Sequence, residues 1–129
     1  MKNKFLFLAL LFLAIFFTGC QLKENYAMQY SFSNEAAAQV KFEPKTDGVK
    51  IEIPFADFGC DPKAYKAVLG RKINTFTITI SGTESAQRCA QKFSADISGM
   101  VSGDYTFKVV YQKGADKIEV LNREFQIAN

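Results

Sequence analysis

Gly103-Asp104-Tyr105-Thr106-Phe107-Lys108-Val109-Val110-Tyr111 is the stretch whose reading decides the fold. Tyr105, Phe107, Val109 and Tyr111 recur at every second residue, which in an extended chain puts all four on one face. Aromatic and β-branched side chains suit a pleated, half-buried surface. A strand with one apolar face needs partners, and the rest of the chain supplies them.

Upstream, Phe93, Ala95 and Ile97 alternate with Ser94, Asp96 and Ser98, and Phe76, Ile78 and Ile80 alternate with Thr75, Thr77 and Thr79. Val49, Ile51, Ile53 and Phe55 alternate with Lys50, Glu52 and Pro54. Val40 and Phe42 do so with Lys41 and Glu43. Between these last two runs, Pro44 to Gly48 reads as a turn, with Asp47-Gly48 suited to positive φ. The spacing predicts a hairpin of 38–43 with 49–55. Tyr26, Met28, Tyr30 and Phe32 give a further strand, and Asn34 to Ala38 ends it in a turn or a short helical corner.

Downstream, Gly114 marks a turn, and Ile118 and Val120 open the last strand. Phe125 and Ile127 fall on the other parity, so a bulge near Leu121 to Arg123 is expected. Segment 84–91 fits either a short helix or an edge strand. From Ala56 to Lys72 the period of two disappears. Asp61 has the chemistry of a helix cap, Pro62 of a first-turn residue and Gly70 of a terminator, so a two-turn helix is expected over 61–70. About seven short strands and one helical insert predict an all-β fold, a single antiparallel β-sandwich. An up-and-down barrel is the alternative.

The amino terminus has a different character. Lys2 and Lys4 precede thirteen uninterrupted apolar residues, Phe5 to Phe17, and Thr18-Gly19 lead into Cys20. Such a run matches the core of a secretory signal and is shorter than the roughly 18 residues of a membrane span. Phe17-Thr18-Gly19-Cys20 resembles the lipobox of bacterial lipoprotein precursors, with Phe17 where that family most often has leucine. The resemblance implies a signal peptide over 1–19, acylation of the Cys20 thiol and a polar tether over 20–25, followed by a domain over 26–129. It also implies membrane attachment through lipid, an extracytoplasmic place in the cell envelope and, with Gln21 after the cysteine, the outer membrane of a two-membrane cell. Two or three acyl chains make such attachment stable where one would not.

From Cys20 onward the chain has 110 residues, fourteen basic and thirteen acidic side chains, enough for one domain with a real core and too evenly charged for a nucleic-acid footprint. With Cys20 acylated, Cys60 and Cys89 are an even pair in an oxidising compartment, and a disulfide between them is expected.

The chain contains no histidine and no tryptophan. Histidine-dependent nucleophile systems are therefore excluded, and the commonest transition-metal ligand is missing. No phosphate-cradling glycine motif and no Ser-x-x-Lys spacing occurs. Asp57 and Asp61 form a carboxylate pair, but a solvated loop with one helix cap accounts for them. The expectation is a protein that is not an enzyme and needs no cofactor and no metal.

Gly103-Asp104-Tyr105-Thr106-Phe107 also resembles the Gly-x-Tyr-x-Cys segment of the immunoglobulin-like and fibronectin type III superfold, with Phe107 in place of the cysteine. The resemblance implies an immunoglobulin-like sandwich in which Tyr105 hydrogen-bonds back to the preceding loop. Loops on such a scaffold carry recognition. Phe58, Tyr65, Arg71 and Lys72, in the aperiodic 56–72 segment, are the candidate binding residues for a protein or glycan partner. A small periplasmic inhibitor or assembly accessory, resembling the lipoproteins that block lysozymes, is the alternative function.

Overall fold

The computed structural model describes residues 25–128. The leader expected over 1–19, Cys20 and the tether as far as residue 24 lie outside the described residues. Eight strands follow in order: β1 (Ala27–Ser33), β2 (Lys41–Lys45), β3 (Gly48–Gly59), β4 (Tyr65–Lys72), β5 (Thr75–Gly82), β6 (Arg88–Ser98), β7 (Gly103–Lys113) and β8 (Asp116–Ile127). They form two four-stranded sheets, β1-β6-β3-β2 and β4-β5-β7-β8, whose inner faces share one core. The architecture is a β-sandwich.

The alternating runs account for both inner faces. Val49, Ile51 and Ile53 of β3 lie with Phe93, Ala95 and Ile97 of β6 on one sheet; Phe76, Ile78 and Ile80 of β5 lie with Tyr105, Phe107, Val109 and Tyr111 of β7 on the other. Aromatic rings fill the space between. Phe42 on β2 meets Phe107 and Phe125, Tyr26 meets Phe76 edge-on at 5.2 Å, and Phe58 packs on Tyr65 and Tyr111.

The sheets are not wholly antiparallel, because β5 and β7 run parallel. The chain leaves β5 at one pole, crosses to the other sheet as β6 and returns at the opposite pole as β7. Two crossings reverse the direction twice, so β7 must run with β5. The parallel pairing is a consequence of the route.

The long aperiodic segment is likewise mostly strand. Phe55 pairs with Gln91 and Phe58 with Cys89, so Ala56 and Asp57 together oppose Ala90 in a β-bulge. The bulge shifts the parity of β3 by one and turns Phe58 inward. The expected two-turn helix is a single 3₁₀ turn, Pro62–Ala64. Asp61 caps it by accepting from the Lys63 N–H at 2.9 Å, and Pro62 stands at its start. Gly70 is not a terminator but a residue of β4. Tyr65, Ala67, Leu69 and Arg71 face inward along that strand, and pairing with β5 supplies backbone bonds that an isolated two-turn helix would lack.

Segment 84–91 is not a helix: residues 84–87 form a loop, and residues 88–91 begin β6 as an edge, paired with β3 alone until β1 joins at Lys92. The bulge in the last strand falls at Val120, where Val109 pairs with Leu121 and Val110 with Glu119. It lies one residue ahead of the expected window and carries out the expected change of phase, burying Leu121 and Ile127.

The expected Cys60–Cys89 disulfide is present, with Cα atoms 4.9 Å apart. It joins Cys60, one residue past the end of β3, to Cys89, which is paired with Phe58 inside β6, so it staples one end of a ladder within a sheet. Removing it by Cys60→Ser with Cys89→Ser should cost about 3–4 kcal/mol, as expected for a closed loop of this length. Phe58→Ala should cost about 3–5 kcal/mol, the range for a buried phenylalanine. Urea denaturation followed by far-UV circular dichroism measures both. A loss below 1 kcal/mol for Phe58→Ala would contradict the packing described.

Candidate functional site

The register places every chain reversal at one of two poles. At the near pole, where the described chain begins, lie Asn25 and Tyr26, the turn after Lys45, the turn after Lys72 and the connection from Gly99 to Ser102. The Met100 N–H donates to the Asp47 carbonyl at 2.9 Å, and the Thr106 N–H to the Asn74 carbonyl at 2.9 Å. At the far pole lie the loop 34–40, the disulfide with the 3₁₀ turn, the loop 83–87 and the turn after Lys113. Here the Thr83 N–H reaches the Ala64 carbonyl at 3.3 Å, and the Asn34 amide reaches the Cys60 carbonyl at 3.3 Å.

The four sequence-predicted binding residues do not form one surface. Phe58 and Tyr65 are 1% and 4% exposed and stack at 3.9 Å between ring centroids, so they are packing residues of the far-pole core. The Tyr65 hydroxyl accepts from the Gly59 N–H at 2.7 Å. A Cβ at Gly59 would stand 2.5 Å from that oxygen, so only glycine fits under the ring. Arg71 and Lys72 lie at the other end of β4. The Arg71 guanidinium covers the rings of Phe76 and Tyr105 at 5.1 and 5.8 Å, and its Nε donates to the Ile73 carbonyl at 2.6 Å. Lys72 is exposed. Six strand steps separate Tyr65 from Arg71.

Three features escaped the sequence reading. The first is a strap. Residues 34–40 cross from β1 at one edge of its sheet to β2 at the other, passing over the far-pole end of the outer face, and Lys92 on β6 bonds Glu35 to hold them there. Two clefts open beside Ala36, Ala37 and Ala38. One is about 290 Å³ and reaches Pro54 and Phe55; the other is about 260 Å³ and is rimmed by Lys41, Glu52 and Lys92. Both sit at the lower limit of the roughly 300–1,000 Å³ of sites that enclose small ligands. They suit shallow contact with a larger partner.

The second is an ionic cluster on the far pole. Glu84 accepts from the Tyr111 hydroxyl at 2.7 Å and from Arg88 at 2.9 Å, with Lys113 at 3.4 Å, and Arg88 also meets Asp57 at 3.5 Å. The hydrogen bond from Tyr111, then that from Arg88, holds the Glu84 carboxyl below its ordinary value. Burial, then the bond to Glu84, holds the Tyr111 hydroxyl well above the tyrosine range. In sequence, Glu84 and Arg88 look like a helical i,i+4 pair. Here they close a loop.

The third is the turn at Ile73. Its φ is +56°, and it is the only described residue other than glycine with a positive φ. A β-branched side chain is strained there. Asn74 is a turn-forming residue type, but nothing in Lys72-Ile73-Asn74-Thr75 marks a β-branched isoleucine for positive φ.

Asp57 is occupied with Arg88 and Asp61 with its cap, and among the described residues no three His, Cys, Asp or Glu side chains converge to hold a metal ion. No family model matches the chain, and no curated protein or solved structure matches it with statistical significance.

The Glu84 cluster sets a pH dependence. A carboxyl held low in the folded state stabilises the fold above its ordinary value near 4.5 and loses that contribution as the pH falls through the folded value. Glu84→Gln should therefore lower Tm at neutral pH and flatten its decline below about pH 4.5. Thermal melts of both proteins from pH 7 to 3 test this; parallel curves would remove Glu84 from the account.

Proposed function

We propose that the chain is an envelope-anchored lipoprotein whose immunoglobulin-like sandwich is a non-catalytic binding module for a protein or glycan. The observation that carries this reading is the opposition of the two poles. The described chain begins at the near pole, five residues after Cys20, while the strap, its clefts and the Glu84 cluster stand at the far end. On an anchor attached through Cys20, the far pole is the end presented outward. Loops held on a rigid sandwich are suited to recognition, and the small clefts favour an extended surface as ligand.

The immunoglobulin-like part of the reading is supported by Tyr105, whose hydroxyl donates to the Val101 carbonyl at 2.8 Å, four residues upstream. The parallel β5–β7 pair departs from the wholly antiparallel immunoglobulin sandwich, and the Cys60–Cys89 bridge lies within one sheet instead of between two. The oxidised cysteine pair suits an extracytoplasmic site.

The full chain expressed in a bacterium should yield a product that begins at Cys20 and carries acyl chains by mass spectrometry. An unmodified Cys20, or cleavage elsewhere, would remove the anchor. Partners crosslinked to the chain in cells that make it naturally should be lost at least tenfold from Ala37→Arg, which fills the clefts. They should persist with Thr77→Arg on the opposite outer face. Equal capture by both variants would count against the strap as the contact surface.

A further inference from the structure

The near pole exposes aliphatic side chains where they have no role in the core. Ile73, at the tip of the β4–β5 turn, is 81% exposed, and Val101, in the connection to β7, is 68% exposed. The two tips belong to one built unit. Arg71 donates to the Ile73 carbonyl and lies over the Tyr105 ring, and Tyr105 donates to the Val101 carbonyl. Gly99, two residues before Val101, lies against the Asn25 backbone, so the chain enters the domain at the same pole. Ile73 is in addition held at a φ that disfavours isoleucine.

We infer that the near pole docks on the lipid bilayer, with Ile73 and Val101 inserted among the acyl chains at its surface. The inference rests on the proposed acylation of Cys20. From Cys20 to Asn25 the chain spans at most about 18 Å even when fully extended. β7 alone, from Gly103 to Lys113, is about 34 Å long at the usual rise. The tether is therefore too short to lift the domain its own length off the membrane, and it enters at the pole that carries the exposed aliphatics. Charge is not the attraction. Arg71 and Lys72 are balanced by Asp47 and Asp104, and Lys45 is paired with Asp96, so the pole is close to neutral. Insertion of apolar tips is what remains, and it should be insensitive to salt. Neither tip need bind strongly alone, because the anchor makes the contact intramolecular.

The chain has no tryptophan, so each tip can be given a unique fluorophore. Ile73→Trp, Val101→Trp and Val68→Trp, the last a 64%-exposed position on the outer face of β4, are made in the full chain. Each is purified in acylated form and reconstituted into vesicles of phosphatidylethanolamine and phosphatidylglycerol, with brominated acyl chains as quencher. The expected result is blue-shifted emission with at least twofold quenching for the variants at positions 73 and 101, unchanged in high salt, and water-like emission for Val68→Trp. If Ile73→Trp perturbs its turn, Val101→Trp alone decides. Water-like emission from both tips in a protein whose Cys20 is acylated would overturn the docking while leaving the anchor intact. Quenching of Val68→Trp instead would put the sheet face on the lipid and overturn it equally. Absence of acyl chains by mass spectrometry would overturn anchor and docking together.

Discussion

Phe58 from one sheet and Tyr65 from the other lie ring on ring, and much of the far half of the molecule is arranged so that they can. The β-bulge at Ala56 and Asp57 turns Phe58 inward; without that extra residue the ring would point to solvent. Gly59 leaves room for the Tyr65 hydroxyl and donates to it, and Gly82 gives room for the other side of the same ring. Gln91, buried among apolar groups, donates to the Gly59 carbonyl and so pairs the remaining polar group of that residue. The disulfide then closes the ladder one residue further on. A buried aromatic pair between two sheets tolerates little sliding, so the stack fixes the sheets relative to each other as well as contributing apolar burial.

The inner faces were legible because their signal is simple. Where a strand is half-buried and its neighbours are regular, one-dimensional alternation is enough, as for β5, β7 and the inner half of β6. Legibility failed where a three-dimensional event resets the phase. The bulge in β3 destroys the period at Ala56, and the capping residues Asp61 and Pro62 are genuine but serve one turn instead of two. β4 hides its alternation differently. Ala67 is too small to mark an inward position, Val68 points outward and Arg71 points inward over two rings. An arginine read as a solvent-facing or partner-facing group is here a lid on the core.

The candidate site was legible only in its chemistry. Residues of the right kind for contact were identified, but Phe58 and Tyr65 owe their burial to the stack, and Arg71 lies a strand's length away. The strap and the Glu84 cluster depend on which loops the topology brings to one pole. That follows from the two inter-sheet crossings around β6, which no local pattern encodes. The pole arrangement is a property of the route of the chain.

Four edge strands remain open after the two sheets form, and their composition bears on what the module does with its sides. β2 carries Pro44 and the charged Lys41, Glu43 and Lys45, and Lys41 is tied to Glu52 on its neighbour at 3.0 Å. β4 presents Lys66, Gly70 and Lys72, and β8 turns the exposed Arg123 toward the position opposite Phe107. Charges, proline and glycine on an edge oppose strand addition by another chain. β1 is different: it bears only uncharged side chains between Ala27 and Ser33, with Tyr30 partly exposed. Yet β1 is also the strand that follows the tether, and its companion at that side of the sandwich is the lysine-bearing β4. A domain held at the membrane by its own amino terminus would bring its least protected edge into the most crowded approach, where a second chain has little room to align. On the proposed reading, three edges are guarded by side chains and the fourth by its position, which leaves the far pole as the surface free to meet a partner.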